Sequence, residues 1–228
     1  MVDIQLRGEL WDNDSADILR WWGWRDITAP MDIQAALEAA GGDEVTLLIN
    51  SPGGDMAVGG EIRSMLRRYP GKTSALIQGM GASAATLAAT GCQVIRSEPG
   101  ALLCYHNPQS GAQGDFREMR RSADGLENAR DGILEIYLAR GTAVDRAALV
   151  ELMDQDIWIN PGKALEYGLI DEIVGNGQAA DPAAYVAAGS RIRLTESMRD
   201  AYREHVAAKR QNDQARRALA MARVLAAY

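Results

Sequence analysis

Two strand-like runs, Glu44–Ile49 (EVTLLI) and Thr73–Gln78 (TSALIQ), each break at a glycine-bearing turn and pass straight into a helical segment. This repeated strand–turn–helix order constrains the fold more than any other feature of the chain. Glu44–Ile49 is nearly continuously apolar and rich in β-formers, which is the pattern of a parallel strand buried on both faces. The first turn is Asn50-Ser51-Pro52-Gly53-Gly54, and a helix is expected after it from about Met56 to Tyr69. The second is Gly79-Met80-Gly81-Ala82, followed by a small-residue helix from Ser83 to Ala89. Val2–Leu10 alternates apolar and polar residues and reads as a strand ending near Gly8. Pro30–Ala40 has helical periodicity and stops at Gly41-Gly42. Cys92–Arg96, Ala101–Tyr105 and Ile170–Val174 read as short strands. Strands alternating with helices at this pitch predict an α/β fold with a mainly parallel sheet.

The second half is more helical. Asp115-Phe116-Arg117-Glu118 is a capping box, and it opens a long helix that ends at Gly141. A second helix is expected over roughly Asp145–Asp154, and Asn160-Pro161 starts a third, with Asn as cap and Pro in the first turn. Gly175–Gly189, rich in Gly, Ala, Asp and Pro, reads as a linker. Beyond it a helical tail carries Met198, Tyr202 and Val206 on one face. Trp21-Trp22-Gly23-Trp24 reads as an aromatic cluster covering a core edge or a subunit contact.

Charge separates tail from body. The whole chain is −7, yet residues 191–228 hold nine Arg/Lys against four Asp/Glu, a net of +5, leaving −12 for residues 1–190. The acidic body argues against nucleic acid as the main partner. No run is long and apolar enough to span a bilayer, and the alternating N-terminus does not read as a signal peptide. The two cysteines, Cys92 and Cys104, lack metal-ligand spacing, and a reduced, intracellular compartment is the simplest expectation. Neither a metal nor an organic cofactor is expected.

Both turns lie at carboxyl ends of strands, where open α/β sheets bind ligands. Ser83 begins a helix among small neighbours (Gly81, Ala82, Ala84 and Ala85), which follows the logic of a nucleophile elbow. Gly53-Gly54 can take backbone angles closed to other residues and so aim an amide at an oxyanion. Read locally, Ser83 is equally a helix cap and the glycine pair a tight turn. The chain has two histidines. His205 sits in the basic tail on a solvated face, whereas His106 follows a strand and precedes Asn107-Pro108, at the same end of the sheet. A neutral imidazole there suits the removal of a serine proton. Asp154 and Asp156 are both candidates to orient it.

The constellation resembles the ClpP family of serine peptidases. The resemblance rests on INSPGGD (49–55), GMGASAAT (79–86), YHNPQSGAQGD (105–115) and DIWINPGKALEYGLIDEIV (156–174), in family order across about residues 44–174. It implies the ClpP/crotonase-like fold of repeated ββα units, with a protruding handle helix (about 107–142) and, here, a C-terminal helical tail. By position, Ser83 corresponds to the nucleophile, His106 to the base and Asp156 to the orienting acid. The amides of Gly54 and Ala84 correspond to the oxyanion hole. The family usually has Met where Ala84 stands, a change that a backbone donor tolerates. Gly53, Gly111 and Gly114 correspond to the substrate-binding backbone, where a peptide pairs by main-chain hydrogen bonds. The expected organisation is a peptidase domain over 1–175, a linker over 176–190 and a basic tail over 191–228.

Three departures bear on biology. The first strand starts almost at Met1, so no axial gate segment is expected. The Trp-rich stretch resembles the head-maturation proteases of tailed phages and prophages. The basic tail has no counterpart in the housekeeping enzymes. Together they predict a homo-oligomeric ring in the bacterial cytoplasm, or inside procapsids, that processes scaffold or capsid protein. The alternatives are a cellular peptidase fed by an ATPase, a crotonase-fold acyl-CoA enzyme and an inactive structural shell protein. A membrane signal-peptide peptidase using Ser-Lys fits less well, since His106 is in place and no anchor is seen.

Overall fold

The structure is a computed structural model of the chain and describes residues 1–175 and 194–225. In chain order the elements are β1 (Val2–Leu10), α1 (Asn13–Trp21), β2 (Ile27–Thr28), α2 (Pro30–Ala40), β3 (Val45–Gly54), α3 (Met56–Arg68), β4 (Thr73–Ala82) and α4 (Ala84–Ala89). They continue with β5 (Val94–Ser97), β6 (Leu102–Cys104), α5 (Phe116–Leu138), α6 (Arg146–Gln155), β7 (Trp158–Ile159), α7 (Pro161–Glu166), β8 (Glu172–Ile173) and α8 (Glu196–Leu225). The chain divides into two compact units. One holds Met1–Asn13 and 26–175, and the other holds Asp14–Arg25 and 194–225.

The first unit is built on a mainly parallel sheet in the order β2-β1-β3-β4-β5-β8. β6 pairs with β4 and carries β7 in antiparallel register. This is the mixed α/β architecture the strand–helix alternation predicts. Ile4, Leu6, Val45, Leu47, Ile49, Ala75, Ile77 and Ile95 face one side of the sheet and are buried. Ile33, Ile62, Leu66, Leu134 and Leu149 join the same core from the helices. Each buried Val, Leu or Ile among them contributes about 1.5–3 kcal/mol relative to exposure.

Helix boundaries follow local chemistry. Asp55 caps α3 by accepting the amides of Ala57 at 2.7 Å and Val58 at 3.3 Å. Asn160 Oδ1 accepts the Lys163 amide at 2.8 Å and starts α7. The capping box of α5 closes both ways, from Glu118 N to Asp115 Oδ1 at 3.2 Å and from Asp115 N to Glu118 Oε2 at 2.9 Å. Of the 23 residues of α5, only Leu134 and Tyr137 are buried, so most of this helix stands clear of the core. In the second unit, Met198, Tyr202 and Val206 on α8 are half-buried. The Trp21 ring lies 5.9 Å from that of Tyr202 and 4.9 Å from that of His205. The expected linker, 176–190, lies outside the described residues.

Two irregularities shape the end of the sheet that matters. Between Arg7↔Asn50 and Glu9↔Gly53 the pairing of β1 with β3 takes up an extra residue in β3. Between Ile49↔Ile77 and Ser51↔Gly81 the pairing of β3 with β4 takes up two extra residues in β4. Asn50 bridges the second gap by accepting the Met80 amide on its Oδ1 at 3.2 Å. Ser51, fully buried, bridges the first, because its hydroxyl donates to the Gly8 carbonyl at 2.6 Å and accepts the Gly53 amide at 3.1 Å. Both turns expected to break the strands therefore stay paired. β3 runs through Gly54 and β4 through Ala82, where the sequence reading ended them at Ile49 and Gln78.

Candidate active site

Ser83 stands between β4 and α4 with φ 54° and ψ −128°, outside the regions an L-residue ordinarily occupies. Such a conformation costs about 1–3 kcal/mol and persists only when its surroundings hold it. The holding groups are present. The Ser83 amide donates to the Cys104 carbonyl at 2.9 Å, and the Ser83 carbonyl accepts the Thr86 amide at 3.0 Å, the Leu87 amide at 3.3 Å and the Thr86 hydroxyl at 2.6 Å. The small neighbours have a steric reason. Gly53 is at φ 91°, and a methyl group there would lie 2.6 Å from Ser83 Cβ and 2.9 Å from the Ala84 nitrogen. The Ser-Pro-Gly-Gly backbone thus lies directly against the nucleophile candidate and the first amide of α4. The Asp55 amide donates to the Leu10 carbonyl at 2.9 Å. Amides alternate in direction along an extended chain, so that of Gly54 points away from β1.

His106 follows β6 and is half-buried. Its Nδ1 lies 2.7 Å from the Asn107 carbonyl oxygen. A carbonyl only accepts, so Nδ1 carries a proton; in the neutral ring this leaves the lone pair on Nε2, the tautomer a general base needs. The antiparallel register Leu103↔Ile159 and Cys104↔Trp158 ends two residues before His106 on one side and two residues after Asp156 on the other. Asp156 is at φ 48°, closing α6, and is exposed. Its Oδ1 takes the Cys104 thiol at 3.9 Å. Asp154 instead accepts the Asn107 side-chain amide at 2.7 Å and so holds the residue after His106. Ser83, through its amide, and Asp156, through its carboxylate, both contact Cys104, and His106 follows two residues after it. No hydrogen bond joins Ser83 to His106, or His106 to Asp156, among the described residues.

Gly111 and Gly114 lie in the exposed segment before α5, and no strand is formed over residues 105–115. Gly114, at φ 152°, is packed against the Glu118 side chain of the capping box. No cluster of three metal-ligating side chains occurs among the described residues, and none of their helices is long and apolar enough to cross a membrane.

Several neighbours escaped the sequence reading. Cys104, the last residue of β6, touches the Asp156 carboxylate two residues before His106. Burial, and then the Asp156 charge and hydrogen bond, push its thiol up to about 12, so it is a neutral donor. Thr86 and Tyr137 join hydroxyls at 2.8 Å behind Ser83, and burial pushes the Tyr137 phenol up to about 12. Nothing in the local sequence marks that pair, because it spans 51 residues.

A family model described as Clp protease matches residues 30–177, well over half of the chain. The chain belongs to the Clp protease family. Membership makes it a serine-type peptidase, a hydrolase. It is 27% identical over 170 residues to the ATP-dependent Clp protease proteolytic subunit 1 of Protochlamydia amoebophila (strain UWE25), covering 72% of this chain and 77% of that one. The Clp protease match takes in both strand-end turns, Ser83, His106 and Asp156.

Proposed function

We propose that this chain is a serine endopeptidase in which Ser83 is the nucleophile, His106 the general base and Asp156 the acid that orients it. The observation that carries this reading is the φ 54° elbow at Ser83, with Gly53 pressed against it at a strand-to-helix junction. A substrate peptide lies extended beside the Gly111–Gly114 segment. His106 Nε2 takes the Ser83 proton, and Ser83 Oγ attacks the scissile carbonyl. The amides of Gly54 and Ala84 receive the oxyanion. His106 then protonates the leaving amine, and water releases the acyl-enzyme. In the productive complex, Nδ1–H turns from the Asn107 carbonyl to Asp156, as catalytic hydrogen bonds in unliganded enzymes often tighten only with substrate. The working form is a homo-oligomeric ring acting on protein substrates.

The setting proposed is phage or prophage head maturation in a bacterial cytoplasm, with scaffold or capsid protein as substrate. It is supported by the Trp21–Trp24 stretch, which precedes the matched region, and by the basic 191–228 segment, which follows it. A cellular peptidase working with an ATPase is the second reading, favoured by the printed name of the Protochlamydia relative. The test compares wild type with Ser83→Ala on an unfolded protein substrate, with and without ATP and an unfoldase. Cleavage by wild type alone, independent of ATP and lost in the variant, is the expected result. Cleavage that requires the unfoldase supports the second setting. Equal cleavage by Ser83→Ala overturns the mechanism.

A further inference from the structure

Thr86 is 2% exposed and Tyr137 5% exposed, so both lie beneath the surface. Yet their hydroxyls form a chain that ends on the nucleophile. The Thr86 hydroxyl has one proton, and at 2.6 Å from the Ser83 carbonyl, which only accepts, that proton is committed there. The 2.8 Å contact between Thr86 Oγ1 and Tyr137 OH must then be made by the tyrosine proton. The order is Tyr137 O–H to Thr86 Oγ1, and Thr86 O–H to Ser83 C=O. This adds a third donor to a carbonyl already held by the Thr86 and Leu87 amides. The Tyr137 ring also packs edge-on against Tyr105, with centroids 5.3 Å apart at 78°. Tyr105 is the residue immediately before His106. One side chain of α5 thus touches the supports of both the serine elbow and the histidine.

The geometry points to Tyr137 as a positioning residue that, through Thr86, sets the peptide plane of Ser83 and so the aim of its hydroxyl at the base. This rests on the reading of Ser83 and His106 as nucleophile and base. Because burial keeps the phenol protonated through ordinary working pH, the donor is always present. Removing the Tyr137 hydroxyl leaves the ring contact with Tyr105 but takes away the donor that anchors Thr86 Oγ1. Removing the Thr86 hydroxyl cuts the chain at the carbonyl itself.

The test uses the full chain as wild type, Tyr137→Phe, Thr86→Val and Thr86→Ser. Three quantities are read: the rate of fluorophosphonate labelling at Ser83, kcat and KM on a peptide substrate, and hydrogen exchange at the Thr86 and Leu87 amides. Tyr137→Phe and Thr86→Val are expected to lower labelling rate and kcat by about tenfold with KM within about twofold, and to speed exchange at those two amides. Thr86→Ser, which keeps the hydroxyl, is expected to stay within about twofold of wild type throughout. Wild-type labelling and exchange in both disruptive variants would overturn the positioning role, as would a lowered melting temperature with labelling per folded molecule unchanged. If the wild type itself does not label, the peptidase reading fails, and amide exchange still decides whether the hydroxyl chain holds the elbow.

Discussion

Gly53 sits where a side chain has no room and the backbone angle is unfavourable to one. Its methyl in Gly53→Ala would meet Ser83 Cβ and the Ala82 carbonyl, both at 2.6 Å, at a φ of 91°. The backbone strain alone is worth roughly 1–3 kcal/mol. The larger consequence is displacement of Ser83, and a shift of that order in a reacting group lowers the rate about 100-fold. Gly53→Ala is therefore expected to lose about 100-fold in peptide hydrolysis while remaining folded, as read by circular dichroism beside the assay. Full activity would mean that the glycine turn is not what seats the nucleophile. At this scale the sequence was informative about residue types and less so about bonds. Ser83 and His106 could be read as lying at strand ends, whereas Asp156 stood level with Asp154 until the family resemblance singled it out. That Asp156 faces the Cys104 thiol while His106 faces the Asn107 carbonyl depends on side-chain rotamers, which no spacing encodes.

At the scale of elements, the end of α5 is tied to the sheet by one arginine. Arg140 donates to the Cys92 carbonyl at 2.9 Å and to Asp171 Oδ2 at 2.6 Å, and the same carboxylate oxygen accepts the Ile95 amide at 2.6 Å. Asp171→Asn keeps the size but loses the charge that both donors share. Asp171 is 45% exposed, so the expected cost is about 1–2 kcal/mol, below that of a fully buried charge-assisted pair. Urea unfolding monitored by tryptophan fluorescence measures it, and a change under about 0.3 kcal/mol would mean the bridge is decorative. The elements legible beforehand are those with local causes. The Asp115–Glu118 box, the Asn160-Pro161 start and Gly41 after α2 each act within one helical turn. β2 and β7, two residues each, were not foreseen, because such strands exist only through their partners. Helix α1 was not foreseen either. Its nine residues, Asn13–Trp21, bury only Ser15, Ala16, Ile18 and Leu19, an apolar stripe too short to stand out by its period.

For the molecule as a whole, the fold and the family follow from the unit that carries the sheet, and the biological setting rests on what lies outside the matched region. The Trp21 contacts with Tyr202 and His205 belong to the other unit. The central claim is that Ser83 is an activated nucleophile dependent on His106. The most direct measurement treats the purified protein with a fluorophosphonate and maps the adduct by mass spectrometry, with His106→Ala alongside. The account predicts a single adduct on Ser83 that is lost, or slowed by several orders of magnitude, in His106→Ala. A folded, assembled wild type that stays unlabelled, or labelling of Ser83 that is indifferent to His106, would contradict it.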